Sequence, residues 1–144
     1  MNEHIRNTVV KIDEHIRREL WFDFHVINFD GQKLTIAGGI DLHYYHSLEL
    51  IFEDVFFVSC FFQGWHSNTG LPVFVLPELS QQIELNLKFE IEQGYQLFVF
   101  KTKDYKNDCY VAAANISFNT DTVFYHYRPD LKENERIADF VKIP

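Results

Sequence analysis

Residues 21–39, WFDFHVINFDGQKLTIAGG, decide the fold class. Two runs rich in β-branched and aromatic residues flank Asp30-Gly31, a dipeptide that turns a chain tightly back on itself. The side-chain period here is two, as in a strand, so the segment reads as an antiparallel hairpin.

Upstream the period is different. Ile5, Val9, Ile12, Ile16 and Leu20 step by four, three, four and four, which places them on one stripe of a helix spanning residues 3–20. Asp13 with Arg17 and Glu14 with Arg18 are spaced i, i+4 and add support on its polar side. The stripe is expected to pack on a sheet.

Downstream the strand pattern continues. In residues 47–62, SLELIFEDVFFVSCFF, Leu48, Leu50 and Phe52 alternate with Glu49, Ile51 and Glu53. Val55 to Phe62 is apolar on both faces and predicts a central strand. Residues 63–72, QGWHSNTGLP, read as a loop. Ile83, Leu85, Leu87, Phe89 and Ile91 alternate with Glu84, Asn86, Lys88, Glu90 and Glu92, which predicts a strand with one wet face and a turn near Gln93-Gly94. Strands are expected at residues 95–102, 109–118 and 122–127. The tail after Pro129 predicts a short C-terminal helix over residues 131–141, docked by Ile137, Phe140 and Val141. The chain as a whole reads as one α+β domain, residues 1–144. Its N-terminal amphipathic helix packs on a mostly antiparallel sheet or sandwich.

Of the 144 residues, 47% are hydrophobic and 17% aromatic, with fifteen Phe, which excludes a disordered chain. No apolar run reaches the length of a membrane span, and the charged N-terminus lacks the apolar core of a secretory signal. Cys60 and Cys109 sit in apolar runs and read as buried thiols of a reducing cytoplasm.

The net charge of −8 is confined to the middle of the chain. Residues 1–20 and 101–144 are each balanced. Residues 21–100 carry only Lys33 and Lys88 against ten acids. Such a field attracts basic partners and repels nucleic acid and anionic membranes.

Chemistry-bearing motifs are absent. There is no phosphate-binding glycine loop and no nucleophile elbow around Ser59 or Cys60. His43 and His46 are three apart, a spacing that points to opposite faces of a strand, so no metal site, cofactor or catalytic set is assigned. A catalytic reading requires a cleft that sets His43, His46 or His126 against an acid. The doublets Tyr44-Tyr45, Phe56-Phe57, Phe61-Phe62 and Phe124-Tyr125 supply walls for an aromatic small-ligand pocket between sheet and helix, the alternative reading of the chain. The leading reading is protein binding. Glu84, Glu90 and Glu92 on one strand face, with Glu49, Glu53 and Asp54, form an acidic surface. Trp65 in its polar loop is the exposed anchor.

Residues 21–58 carry a layout of Trp, then Phe24-His25 opening a strand, a turn, a second strand with Leu34 and Ile36, then Leu48-x-Leu50-x-Phe52 running into Asp54-Val55. This resembles small acidic bacterial immunity proteins of polymorphic toxin systems. Val26 stands where those proteins often carry an acid. The resemblance implies a small cytoplasmic protein that neutralises a basic toxin by binding it.

Overall fold

The computed structural model describes residues 2–144. Helix α1 (Glu3–Ile16) begins where the Asn2 side chain accepts the backbone N–H groups of His4 and Ile5 at 2.9 and 3.3 Å. Ile5, Val9, Ile12 and Ile16 are buried on one stripe, as expected. The helix stops four residues short of Leu20, which is exposed. Two tethers fix its end to a distant segment. The Asp13 carboxylate accepts the N–H groups of Val73 and Phe74 at 2.8 and 2.9 Å, and the Arg17 guanidinium donates to the carbonyl of Thr69 at 3.2 Å.

Strands β1 (Phe22–Phe29) and β2 (Leu34–Gly39) form the expected hairpin. After β3 (Tyr45–His46) the chain enters β4 (Leu48–Ser59), the longest strand. It then makes β5 (Trp65–Ser67), β6 (Phe74–Val75), helix α2 (Leu79–Lys88), β7 (Gln96–Phe100), β8 (Cys109–Asn119), β9 (Thr122–Phe124) and β10 (Glu135–Ile137). Seven strands form one curled antiparallel sheet in the order β5-β1-β2-β4-β8-β7-β6, and β10-β9-β3 form a small second sheet. The fold class is α+β. No helix among the described residues is long and apolar enough to cross a membrane.

The main sheet has an inner face against α1. There Phe22, Phe24, Phe52, Phe74, Phe98 and Phe100 pack edge-on and tilted against one another, with Phe74 and Phe98 stacked, and centroids 4.7–6.3 Å apart. The outer face carries the residues that alternate with these. Around Glu49 and Ala37 it lies near the small sheet. Around Leu97 and Ala112 it is covered by α2, through Leu85, Phe89 and Ile91.

Four expectations are corrected. Residues 83–88 belong to α2, not to a strand, so Glu84 does not share a wet strand face with Glu90 and Glu92. A period of two also contains steps of four, and Ile83, Leu87 and Ile91 satisfy both patterns. Leu, Gln, Glu, Asn and Lys between them favour helix over strand. The helix ends at Phe89, and Glu90 follows with φ +54°. The Ile91 N–H then returns to the Asn86 carbonyl at 3.0 Å, a Schellman closure.

Residues 131–141 form β10 and turns, not a helix. Asn134 sits at φ +62°, outside the helical region, and β10 pairs parallel with β9. Trp65 lies in a strand, not in an exposed loop. The β4–β8 register shifts between Val55 and Phe57, just after Asp54 at φ +55°, so Val55 packs against the inner core and Phe57 against the α2 cluster on the outer face.

Candidate functional site

The most organised polar arrangement lies where the outer face of the main sheet meets the small sheet. Glu49 projects from β4 opposite Ala37 on one side and Asn119 on the other. Its Oε1 accepts from the Asn119 amide at 2.8 Å and from the Arg136 guanidinium at 2.7 Å. Its Oε2 lies 2.7 Å from His46 Nε2. Arg136 comes from β10 and also reaches Asp121 at 3.4 Å. Both Glu49 and His46 are buried.

The other nitrogen of His46, Nδ1, lies 2.6 Å from the Tyr125 hydroxyl, and that hydroxyl lies 3.2 Å from His25 Nε2. The result is a continuous line, Glu49–His46–Tyr125–His25, drawn from β4, β3, the end of β9 and β1. Its electrostatics follow from the partners. Three donors, His46 foremost, hold the Glu49 carboxyl down at about 2 against the opposing effect of burial. Burial, with the Glu49 charge nearby, pushes the Tyr125 phenol up to about 12. Burial and then the neighbouring His46 lower His25, which favours its neutral form.

A cleft of about 690 Å³ runs along this line and is lined by Glu49, His46, Tyr125 and His25. A second cleft of about 500 Å³ shares His25 as a wall and is bordered by Asp23, Asp104 and His66. In it His66 Nδ1 lies 2.6 Å from Asp23, and the Asp104 carboxylate accepts the backbone N–H of His66 at 3.1 Å. Among the described residues, no group of three or more His, Cys, Asp or Glu side chains is placed to hold a metal ion.

The expected partner-binding residues separate into two groups. Glu49 is buried and neutralised, so it is withdrawn from any steering field. Trp65 is only 1% exposed, stacked on Phe24 at 5.7 Å and edge-on to Phe100 at 5.2 Å. β5 is drawn in beside β1 by Gly64 at φ +99°, where a Cβ would come within 2.6 Å of the Phe24 carbonyl oxygen. Trp65 therefore serves the core, and its Nε1 has no hydrogen-bond partner among the described residues. Glu53, Asp54, Glu84, Glu90 and Glu92 are all exposed. Glu53 and Asp54 share a shallow cleft with Asp30 and Lys33.

Helix α2 adds a feature that the strand reading concealed. Leu79, Ile83 and Leu87 fall on one line of the helix and are 74%, 53% and 76% exposed. Only Leu85, on the opposite side, is buried.

The requirement set for a catalytic reading is met by His46 alone, which lies against Glu49. His46 is buried with both ring nitrogens engaged, by Glu49 and by Tyr125. The rings of His43 and His126 lie edge-on to their neighbours Tyr44 and Phe124. Cys60 and Cys109 are free thiols, and burial raises both, Cys109 to about 12, which makes them poor nucleophiles. No protein-family model, curated protein or solved structure matches the chain.

Proposed function

We infer that this is a non-enzymatic binding protein that captures a basic protein partner, in the manner of an immunity protein neutralising a toxin in the cytoplasm. The observation that carries this reading is the unpartnered line Leu79, Ile83 and Leu87 on α2. Three large apolar side chains in a row on a surface helix cost solvation unless a partner covers them.

The setting of the line specifies the partner's chemistry. Glu78 and Glu84 border it on the helix, and Glu90 and Glu92 follow its C-terminal end, against a single Lys88. α2 covers the outer face of the main sheet, the face from which Glu53 also projects. An apolar ridge with a basic rim fits this surface. The apolar contact supplies affinity, and the charges supply association rate and discrimination.

The test is capture of the neighbouring gene's product by the full chain. Ile83→Glu with Leu87→Glu is expected to weaken capture at least tenfold while leaving thermal stability unchanged, because both residues are exposed. Raising ionic strength well beyond the physiological ~0.15 M is expected to slow association. Capture that ignores both the double variant and salt overturns the reading.

A further inference from the structure

We propose that Cys60 and Cys109 form a redox-responsive pair: a low-molecular-weight disulfide converts them into a reversible bridge that locks β4 to β8 at the roots of the two loops walling the His66 cleft. This inference does not rest on the α2 face.

The strand register brings the two together. β4 pairs antiparallel with β8 through Val58–Val111 and Ser59–Tyr110, and the next step of that register sets Cys60 opposite Cys109. Side chains alternate between faces, so both thiols fall on the inner side with Val58 and Val111. Cys109 belongs to the buried core there, and Cys60 packs against the same cluster. The backbone N–H of Phe61, next in the chain to Cys60, lies close enough to the Cys109 sulfur to favour its thiolate, and a charge on Cys60 opposes that ionisation.

Directly opposed residues of antiparallel strands have Cα atoms about 4.5–5.5 Å apart, within the roughly 4.4–6.8 Å that a disulfide spans. Their Cβ atoms, about 4.5–5.5 Å apart, must close to the usual ~3.8 Å. A bridge drawn tight in this way is readily reduced, which suits a reversible lock better than a permanent staple.

Cys60 is partly exposed and Cys109 is buried, so Cys60 meets the oxidant first. Its thiolate attacks oxidised glutathione, forms a mixed disulfide and releases one glutathione thiolate, which takes up the proton Cys60 gave to water. Cys109 then loses its proton, its sulfur attacks that of Cys60, and a second glutathione leaves as its thiol. Two protein thiols are oxidised, and one glutathione disulfide is reduced to two thiols. Burial keeps both cysteines protonated, with Cys109 pushed up to about 12, which slows each step. The second step is intramolecular, and proximity offsets that slowness.

The consequence lies just beyond the strand ends. Phe61 stacks on Tyr105 with ring centroids 3.7 Å apart. Gln63, Gly64, Asp104 and Tyr105 wall the cleft of about 500 Å³, and the Lys103 N–H donates to the His66 carbonyl at 2.9 Å. Tying Cys60 to Cys109 fixes the base of both walls.

The experiment incubates the full chain with oxidised glutathione well below its melting temperature, then counts thiols after denaturation and maps the peptides. Both thiols should be lost, the mass should fall by two hydrogens, and a Cys60–Cys109 link should appear that dithiothreitol reverses. The melting temperature should rise by about 5 °C or more. Amide hydrogen exchange at His66 and Lys103 should slow severalfold. Cys109→Ala should stop at the mixed disulfide on Cys60. Cys60→Ser, at a partly exposed position that leaves the fold intact, should keep its single thiol. Two thiols that persist in the wild type, a mixed disulfide that does not resolve, a bridged protein that melts below the reduced one, or unchanged exchange at His66 and Lys103 overturns the proposal.

Discussion

Arg136 and Glu49, 87 residues apart in the chain, meet at 2.7 Å and join the small sheet to the main one. The pair is only half of the junction, because the same carboxylate also holds His46 and Asn119. Removing one member leaves the others buried with unmatched charge or donors.

Glu49 sets the acid limb of stability. Its folded pKa of about 2 lies below the ordinary 4.5, so the ionised form stabilises the fold. That contribution is complete above pH 4.5 and is lost as pH falls toward 2. By linkage it amounts to about 3 kcal/mol. Glu49→Gln should lower stability at pH 7 by about that amount and flatten the acid limb in this window. Urea unfolding at a series of pH values measures both, and an unchanged limb contradicts the assignment.

Tyr125→Phe keeps the ring and removes the hydroxyl. His46 Nδ1 is then buried without a partner, at a cost of about 1–3 kcal/mol. Because the Tyr125 phenol is raised to about 12, its neutral form stabilises the fold below the ordinary value of 10. This stabilisation fades as pH rises from 10 to 12. The variant should lose that alkaline dependence along with stability, as read by thermal melts across the range.

Gly64→Ala should be among the most damaging single-methyl changes in the chain. The position has φ +99°, and the new Cβ would sit 2.6 Å from a backbone oxygen. A cost of about 2 kcal/mol or more is expected, from the left-handed backbone plus the displacement of β5. Trp65 fluorescence should shift to longer wavelength as the indole gains water. Wild-type stability and an unmoved spectrum would refute this account of the edge.

Glu90→Gly should stabilise the protein by about 0.5–1 kcal/mol. Glu90 occupies the left-handed position after α2 that glycine fills without steric cost. Chemical denaturation is the measurement, and a destabilised variant would show that the Glu90 side chain makes a contact outweighing its backbone strain.

Local patterns carried the fold class, and distance hid the site. The α1 stripe and the Asp30-Gly31 hairpin were readable because each depends on neighbours within a few residues. The segment from Ile83 to Ile91 misled because its alternation satisfies helix and strand alike, and the helix-favouring residues between are reinforced by the docking of Leu85 on Leu97 and Ala112. Trp65 misled because a polar loop composition describes the flanking backbone, not the three-residue strand that pulls the indole inward. The Glu49 junction was out of reach because its members, His46, Asn119, Asp121, Tyr125 and Arg136, converge only when β9 and β10 fold over the main sheet. His46 was noticed beside His43, but nothing local linked it to Tyr125.

The main sheet ends on one side in β5, three residues long, and on the other in β6, two residues long. On the border strands themselves a passing strand from another copy of the chain would find only three and two residues of ladder to extend. The long apolar strands β4 and β8 lie between other strands, shielded from such templating. Protection against fibrous self-association thus lies in the interior placement of β4 and β8, while β5 covers only Phe22–Phe24 of β1 and β6 only Val99 and Phe100 of β7, so the remainder of those two strands is the edge that a second copy would meet.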